Sequence, residues 1–122
     1  MEPAIIIDFD HCLRGKDNKP ETWCLTIINM FMETHHVFLF SEVPAERCSE
    51  VVGWVHERCG ISSPGVSVLP FRPDIGVIQN RLMIYKEVIK PFFDVQLILD
   101  ADPQGVRLWQ DLGLKCFKFE AV

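Results

Sequence analysis

The stretch PAIIIDFD at residues 3–10 joins a continuous apolar run to two acidic residues. An apolar run rich in β-branched residues, without polar alternation, is typical of a strand that is buried on both faces of a sheet. We therefore predict a buried strand over residues 3–9. Asp8 and Asp10 then lie where this strand ends, and the polar segment that follows, as far as Lys19, is predicted to form a loop.

Apolar runs recur along the chain and alternate with segments of helical periodicity. Further strands are predicted at residues 37–40, 65–70, 95–99 and 115–119, and helices at residues 20–35, 44–60, 77–90 and 103–112. Strands separated by helices are joined by crossovers and not by hairpins, so the sheet is predicted to be parallel. We expect one α/β domain over residues 1–122, a Rossmann-like three-layer sandwich with a five-stranded, mostly parallel sheet and helices on both faces.

The composition excludes several classes of protein. Of the 122 residues, 48% are hydrophobic and 24% are charged, which is typical of a folded domain and not of a disordered chain. The apolar runs are only a few residues long, whereas a membrane-spanning helix needs about 20 residues. The first residues lack the basic segment of a signal peptide, so we expect a cytoplasmic protein.

The charge is acidic and unevenly distributed. The net charge is −5; residues 1–60 carry ten acidic residues against five Lys and Arg, and residues 61–122 carry seven of each. A protein that wraps duplex nucleic acid needs a basic face that neutralises phosphates. The charge balance therefore argues against duplex binding, and leaves a small phosphorylated ligand or a nucleic-acid end as the expected partner.

Polar residues follow three of the predicted strands. In open α/β sheets, ligands bind beyond the carboxyl ends of the strands. The residues at those positions are Asp8 and Asp10, Ser41, and Asp100 with Asp102. The sequence after the first strand holds neither a Gly-x-Gly motif nor a Walker A motif, which excludes a nicotinamide enzyme and a P-loop enzyme.

Clustered carboxylates at one edge of a sheet indicate a divalent cation. Negative oxygens placed close together raise each other's pKa unless a cation neutralises them. Hard oxygen ligands with room for water suit Mg²⁺. Mg²⁺ in turn indicates a phosphate substrate, because it offsets the repulsion between an attacking carboxylate and a phosphate dianion.

The apolar strand followed by Asp8-x-Asp10 resembles the haloacid dehalogenase (HAD) superfamily, with Ser41 and Asp100 at the positions of its Ser/Thr and its metal-binding acid. Two stretches, residues 40–46 (FSEVPAE) and 84–117, further resemble the 3′-phosphatase domain of phage-type polynucleotide kinases. The gap between the first helix and the second strand is too short for a cap domain, so the resemblance is to a capless member.

The resemblance implies a role for each matching residue. Asp8 would be the nucleophile that forms an aspartyl-phosphate, and Asp10 would protonate the leaving oxygen and then activate water. Asp8, the main-chain carbonyl of Asp10 and the carboxylate of Asp100 would hold Mg²⁺. Ser41 and the backbone N–H groups after it, beginning with Glu42, would bind the phosphoryl oxygens.

Several positions depart from the family pattern. His11 and Cys12 stand where the family has Gly-Thr, and Glu42 and Val43 stand where the nucleic-acid phosphatases have Gly-Arg. Ala101 replaces an acidic residue after the fourth strand. These changes leave the nucleophile and the metal ligands in place and alter the groups around the phosphate.

The family's essential lysine falls on Arg81, counting back from Ile84-Tyr85. Arginine keeps the positive charge, but its guanidinium is a planar fork and not a compact ammonium group. We therefore expect Arg81 to neutralise the nucleophile and to bind the phosphate. Lys86 fills the role instead if the helix register differs by more than one turn.

Two hypotheses about function remain open. The first is a Mg²⁺-dependent phosphatase that acts on a phosphomonoester, such as a nucleotide or a polynucleotide 3′-phosphate. The second is a catalytically weak or inactive HAD-like module that binds a nucleotide or a protein partner. The retained carboxylates and Ser41 favour the first hypothesis, and the altered phosphate-binding residues favour the second. A receiver domain needs an aspartate at the end of the third strand, where residues 69–71 read Leu-Pro-Phe.

Several polar and aromatic residues have a structural interpretation. Asp102 is expected to cap the fourth helix, where the helix dipole favours an acidic residue. His11 is interpreted as a solvated loop residue. Trp23, Trp54 and Trp109 lie on helices at apolar spacing and are interpreted as core or partial core.

Overall fold

A computed structural model describes residues 1–62 and 64–118 of the chain. These residues form five strands and four α-helices. The strands are β1 (Glu2–Asp8), β2 (His36–Phe40), β3 (Val66–Leu69), β4 (Phe93–Asp100) and β5 (Cys116–Lys118). The helices are α1 (Thr22–Phe31), α2 (Cys48–Cys59), α3 (Val77–Ile84) and α4 (Pro103–Asp111).

The described strands form one parallel sheet in the order β3-β2-β1-β4-β5. β1 therefore lies at the centre, where Ile7 pairs with Leu39 of β2 and with Leu99 of β4. The chain runs outward from β1 through β2 to β3 and then returns to the other side of β1. Such a reversal of strand order opens a crevice beyond the carboxyl ends of the strands. Asp8 ends β1 at this crevice.

Alternate residues of β1 face opposite sides of the sheet, as expected for a strand. Ile5 and Ile7 belong to a core cluster that includes residues of α1 and α2. Ala4 and Ile6 belong to a second cluster that includes residues of α3 and α4. Helices therefore cover both faces of the sheet, which confirms the predicted α/β three-layer sandwich.

The first helix ends earlier than predicted. The carbonyl of Phe31 accepts hydrogen bonds from the backbone N–H groups of Thr34 and His35, at 3.1 and 2.7 Å. These bonds close a tight turn after α1, so the predicted end at residues 34–35 is wrong. Apolar periodicity does not reveal such a turn, because Phe31 and Met32 pack against the core cluster and continue the apolar pattern to the end of the helix.

Two segments form π-helical turns, at Phe9–Leu13 and at Tyr85–Ile89. The first stands where a loop is predicted after β1, and the second interrupts the helix predicted over residues 77–90. Buried residues four positions apart, such as Tyr85 and Ile89, fit an α turn and a π turn equally well. The sequence pattern therefore does not distinguish the two. A 3₁₀ turn at Ala45–Arg47 likewise precedes α2, inside the helix predicted from residue 44.

The ends of the later elements agree more closely with the prediction. Gly60 and Gly113 have φ angles of 69° and 80°, left-handed values that suit glycine at the end of a helix. The last strand is predicted at residues 115–119; β5 covers most of it, and Phe119 lies outside the described residues. In the described part of the chain, no helix is long and apolar enough to cross a membrane.

Candidate active site

The carboxyl ends of three neighbouring strands place three buried polar side chains together. Asp8 ends β1, Asp100 ends β4, and Ser41 directly follows β2. Their residues are only 3%, 1% and 5% exposed. Buried polar groups are stable only where other groups satisfy them, so the partners of these side chains define the site.

Arg81 of α3 brings a buried guanidinium to the carboxylates. Its Nη2 lies 3.6 Å from Asp8 Oδ2 and 3.4 Å from Asp100 Oδ1, and its Nη1 lies 3.6 Å from Asp102 Oδ2. One cation thus faces three carboxylates. Lys86, the alternative cation, lies exposed on the π turn after α3, so the register counted from residues 84–85 brings Arg81 and not Lys86 to Asp8.

His11 also contacts the Asp8 carboxylate. Its backbone N–H donates to Asp8 Oδ1, and its ring Nδ1 lies 3.3 Å from Asp8 Oδ2. The His11 side chain is 56% exposed, which agrees with its interpretation as a solvated residue. That interpretation does not include the contact of its ring Nδ1 with Asp8. The π turn after β1 causes the contact, because it folds His11 back over the strand end.

Burial is the main influence on the Asp8 carboxyl and raises its pKa from the ordinary value of 3.8 to about 6. The Arg81 guanidinium opposes this shift, the negative charge of Asp100 adds to it, and His11 and the Ala101 N–H lower the pKa again. The cation at Arg81 therefore offsets only part of the cost of ionising Asp8. At pH 7, above this pKa, the Asp8 carboxyl is mostly ionised.

This pKa predicts how stability depends on pH. Between about pH 4 and pH 6 the folded protein keeps the Asp8 proton while the unfolded chain releases it, so stability falls as the pH rises through this range. A pKa raised from 3.8 to about 6 corresponds to a loss of at most about 3 kcal/mol. Urea unfolding in metal-free buffer should show this loss in the parent and not in Asp8→Asn. A difference between the two proteins that is independent of pH would contradict the assignment.

Asp10 faces the segment after β2. Its Oδ1 accepts a hydrogen bond from Arg14 Nη2 at 3.0 Å, and its Oδ2 accepts one from the backbone N–H of Glu42 at 2.7 Å. Ser41 Oγ accepts from the Val43 N–H at 3.3 Å. The N–H groups of residues 42 and 43, predicted to bind phosphoryl oxygens, are therefore occupied by Asp10 and Ser41 in this arrangement.

A narrow cleft joins these residues. Its walls include Asp8, Asp10, Ser41, Glu42, Asn80 and Arg81. The cavity volume is about 10 Å³, which is room for about one water molecule. The cleft is therefore too small for a group the size of a phosphate in this arrangement, in which the Glu42 N–H is bonded to Asp10.

Asp100 accepts two hydrogen bonds that the sequence does not predict. Trp109 Nε1 donates to its Oδ2 at 3.0 Å, and the Asp102 N–H donates to its Oδ1 at 3.0 Å. Trp109 is 1% exposed and belongs to the core as expected, but its indole N–H also fixes a site carboxylate. Asp102 caps α4 by accepting from the Gln104 N–H at 2.9 Å, as expected, and in addition faces Arg81.

Gly105 of α4 permits the close approach of this helix to Asp100. A Cβ built at Gly105 overlaps Asp100 Oδ2 and lies 3.3 Å from Arg81 Nη1. Gly53 of α2 is a matched comparison, because a Cβ built there meets no atom of the described residues within 4 Å. Gly105 therefore leaves space for Asp100, whereas the position of Gly53 has room for a side chain.

Alanine at these two glycines should have opposite effects. Gly105→Ala forces Asp100 or the helix to move and should lower the free energy of unfolding by about 1–3 kcal/mol. Gly53→Ala should raise it by up to about 1 kcal/mol, because alanine is the better helix former. Urea titrations of both variants measure the two changes. Equal effects of the two substitutions would show that α4 does not lie as close to Asp100 as described.

The oxygen donors at this edge of the sheet fit Mg²⁺ in chemical type. Asp8, Asp100 and Asp102 face one guanidinium, so a divalent cation would balance the remaining negative charge. In residues 1–62 and 64–118, no group of three or more His, Cys, Asp or Glu side chains is placed to hold a metal. The predicted set differs from such a group, because it uses two side chains and the main-chain carbonyl of Asp10.

The fold and the site together define an α/β protein with a buried acid–guanidinium cluster at the carboxyl edge of a parallel sheet. Neither a protein-family model nor a curated protein matches the chain. Among solved structures it is similar to a chain in the structure of the Pnkp1/Rnl/Hen1 complex, with a TM-score of 0.82 and 18% sequence identity. A chain in the structure of the Pnkp1/Rnl/Hen1 RNA repair complex gives 0.80 and 19%.

These similarities extend over nearly the whole chain. Each covers 99% of this chain, but only 47% and 43% of the two larger chains. This chain therefore corresponds to less than half of each of them. At this level of identity the comparison establishes a shared fold.

Proposed function

We propose that this protein is a phosphomonoesterase of the HAD type, with Asp8 as the nucleophile. The observation that supports this most is the contact of one buried guanidinium, Arg81, with both Asp8 and Asp100. A cation so placed keeps an ionised nucleophile in a buried site and offsets its repulsion for a phosphate dianion. Among the described residues, Arg81 Nη1 has no hydrogen-bond partner, and the Asp102 carboxylate lies 3.6 Å from it, so part of the donor capacity of this buried guanidinium is unused.

The proposed reaction has two steps. In the first, a carboxylate oxygen of Asp8 bonds to phosphorus while the bond to the leaving oxygen breaks, and Asp10 gives that oxygen a proton. In the second, Asp10 takes a proton from water, the water oxygen bonds to phosphorus, and Asp8 is released together with phosphate. Mg²⁺, held by Asp8, the Asp10 carbonyl and Asp100, would supply positive charge opposite the phosphoryl oxygens. Ser41 and the N–H groups after it would hold those oxygens.

The substrate class we propose is the 3′-phosphate of a nucleotide or polynucleotide. The similarity of fold to chains of an RNA repair complex supports a substrate of this kind. The net charge of −5 favours a strand end or a mononucleotide over a duplex. The terminal phosphate of a strand can reach the narrow cleft beside Asp8, whereas the phosphates inside a duplex are flanked by nucleotides on both sides.

The experiment that tests this function is phosphate release from a generic aryl phosphate, with and without Mg²⁺. The parent should release phosphate with Mg²⁺ and lose most of that activity in excess chelator. The same assay on adenosine 3′-monophosphate then tests the substrate class. If the parent releases no phosphate from either compound in the presence of Mg²⁺, the proposed phosphatase activity is refuted.

Mg²⁺ should also stabilise the fold, independently of any turnover. A ligand that binds only the folded state raises stability by about 2.7 kcal/mol at a hundred times its dissociation constant. The thermal midpoint of the parent should therefore rise in millimolar Mg²⁺, and Asp100→Asn should reduce that rise. Asp111→Asn, an exposed acid on α4, is the control and should leave the rise intact. An equal rise in all three proteins would place Mg²⁺ elsewhere.

A second candidate function is a binding module that holds a phosphate without turning it over. The observation that favours it concerns the N–H groups of residues 42 and 43, which were expected to bind phosphoryl oxygens. These groups donate hydrogen bonds to Asp10 and Ser41 instead. Calorimetric titration with inorganic phosphate and adenosine 3′-monophosphate distinguishes the two functions. Binding of the nucleotide without hydrolysis, in the presence of Mg²⁺, would favour the module.

A further inference from the structure

A groove separate from the catalytic cleft lies beside the segment after β1. Its cavity volume is about 260 Å³. The lining combines aromatic rings and guanidinium groups with a few other side chains, and its members are Phe9, Arg14, Asn18, Val43, Arg47, Glu50, Val51 and Trp54. Pockets that enclose a drug-sized ligand measure roughly 300–1,000 Å³, so this groove suits one planar ring system and not a whole nucleotide.

The wall of the groove is fixed by contacts between the loop after the first π turn and α2. Asn18 has a left-handed backbone with φ of 58°, which is uncommon for a residue other than glycine. Its side-chain oxygen accepts from Trp54 Nε1 at 3.0 Å, and its carbonyl accepts from Arg58 Nη1 at 3.4 Å. These hydrogen bonds from α2 hold the loop in place, so the fold itself fixes the shape of the groove.

Two residues of the groove form hydrogen bonds with residues that line the catalytic cleft. Arg14 donates to Asp10, the proposed acid, and its guanidinium lies 5.4 Å from the centre of the Phe9 ring. Val43, which also lines the groove, donates its N–H to Ser41 Oγ. A phosphomonoester whose leaving oxygen meets Asp10 therefore directs the rest of its leaving group toward Arg14 and Val43.

The groups in the groove are suited to stacking. The Trp54 indole N–H is already used by Asn18, and Arg47 pairs with Glu50 through its Nε at 2.7 Å. Guanidinium groups bonded along one edge still offer their planar faces, on which an aromatic ring stacks. A nucleobase meets these requirements, because every base has a π face and stacking does not depend on which base it is.

We propose that this groove binds the nucleobase of the substrate's leaving group, with the base stacked on Trp54 beside Arg47. The inference rests on the proposed phosphomonoesterase function and specifies which leaving group the site takes. It predicts a preference for a nucleoside phosphate over an alkyl phosphate that has the same type of ester. Stacking on one aromatic side chain changes affinity by about fivefold or more.

The test compares kcat/KM for adenosine 3′-monophosphate and for glycerol 2-phosphate, both phosphate esters of secondary alcohols. The parent should prefer the nucleotide by about fivefold or more. Trp54→Leu should abolish the preference and keep most of the rate on glycerol 2-phosphate. Trp23→Leu is the matched control, because Trp23 of α1 packs against the same core cluster, and it should retain the preference. Arg47→Gln, at an exposed position, should reduce the preference about twofold or more.

The outcomes separate this inference from the proposed function. Equal rates on the two substrates in the parent, or an unchanged preference in Trp54→Leu, would overturn the groove assignment and leave the phosphatase standing. If Trp54→Leu does not fold, an unchanged preference in Arg47→Gln overturns it. If neither substrate is hydrolysed, the proposed phosphatase activity is refuted. Titration with adenosine, which carries no phosphate, then tests the groove assignment by itself. Adenosine binding that is lost in Trp54→Leu or Arg47→Gln supports the groove, and any other result overturns it.

Discussion

Asp8→Asn is expected to lose phosphate release from an aryl phosphate by roughly a thousandfold or more, while the protein remains folded. Removal of a nucleophile from a site whose groups act together typically has an effect of this size. Asparagine has the same shape, but its amide does not form an acyl-phosphate and carries no charge for a metal ion or for Arg81. The structure gives the reason that folding survives, since burial makes the ionised Asp8 carboxylate costly.

The control for this variant is Asp102→Asn. Asp102 faces the same guanidinium as Asp8, at 3.6 Å, but it is assigned no bond to phosphorus. Its substitution should change the rate much less than that of Asp8. Thermal midpoints of both variants show whether they are folded. An Asp8→Asn protein that keeps most of the parent rate would mean that another group is the nucleophile.

Arg81→Ala is expected to show the second large effect, on both stability and activity. Removing the guanidinium leaves Asp8, Asp100 and Asp102 without their shared cation, and breaking a buried ion pair on one side typically costs about 3–5 kcal/mol. Urea unfolding at pH 7 measures this loss. The loss should shrink at low pH, where the carboxyl groups become protonated and no longer need a cation.

Arg81→Lys and Lys86→Ala complete the comparison. Arg81→Lys keeps the charge in a more compact group, so it should retain activity and raise the rate above that of the parent. Lys86→Ala should change neither rate nor stability appreciably, because this side chain is exposed. Loss of activity in Lys86→Ala with full activity in Arg81→Ala would show that Lys86 is the functional cation.

The fold could be predicted from the sequence because three of its strands, β1, β2 and β4, contain short apolar runs that end at polar residues. The run before Asp8 and the run before Asp100 each pack on both faces of the sheet, which is the arrangement their composition favours. The same ends identify the edge at which Asp8, Ser41 and Asp100 converge. The approximate positions of the apolar runs were therefore enough to predict the sheet and the edge at which these residues meet.

The details of the site could not be predicted, because they depend on contacts between residues far apart in the chain. Trp109 matches a core position by its spacing, and only the packing of α4 against β4 shows that its N–H reaches Asp100. The contact of His11 with Asp8 depends on a π turn that periodicity does not detect. Gly105, the third residue of α4, has no recognisable pattern in the sequence, since its role is to leave space for Asp100.

The most direct test of the central claim is to detect the phosphoryl group on Asp8. Asp10→Asn, mixed with an aryl phosphate and Mg²⁺ and then quenched in acid, should accumulate the intermediate. An aryl leaving group departs without a proton from Asp10, whereas the second step needs Asp10 as a base. Mass spectrometry of the digested protein should find the phosphoryl adduct on the peptide that carries Asp8. A protein that releases phosphate but shows no adduct there, or shows it in Asp8→Asn as well, would contradict the account.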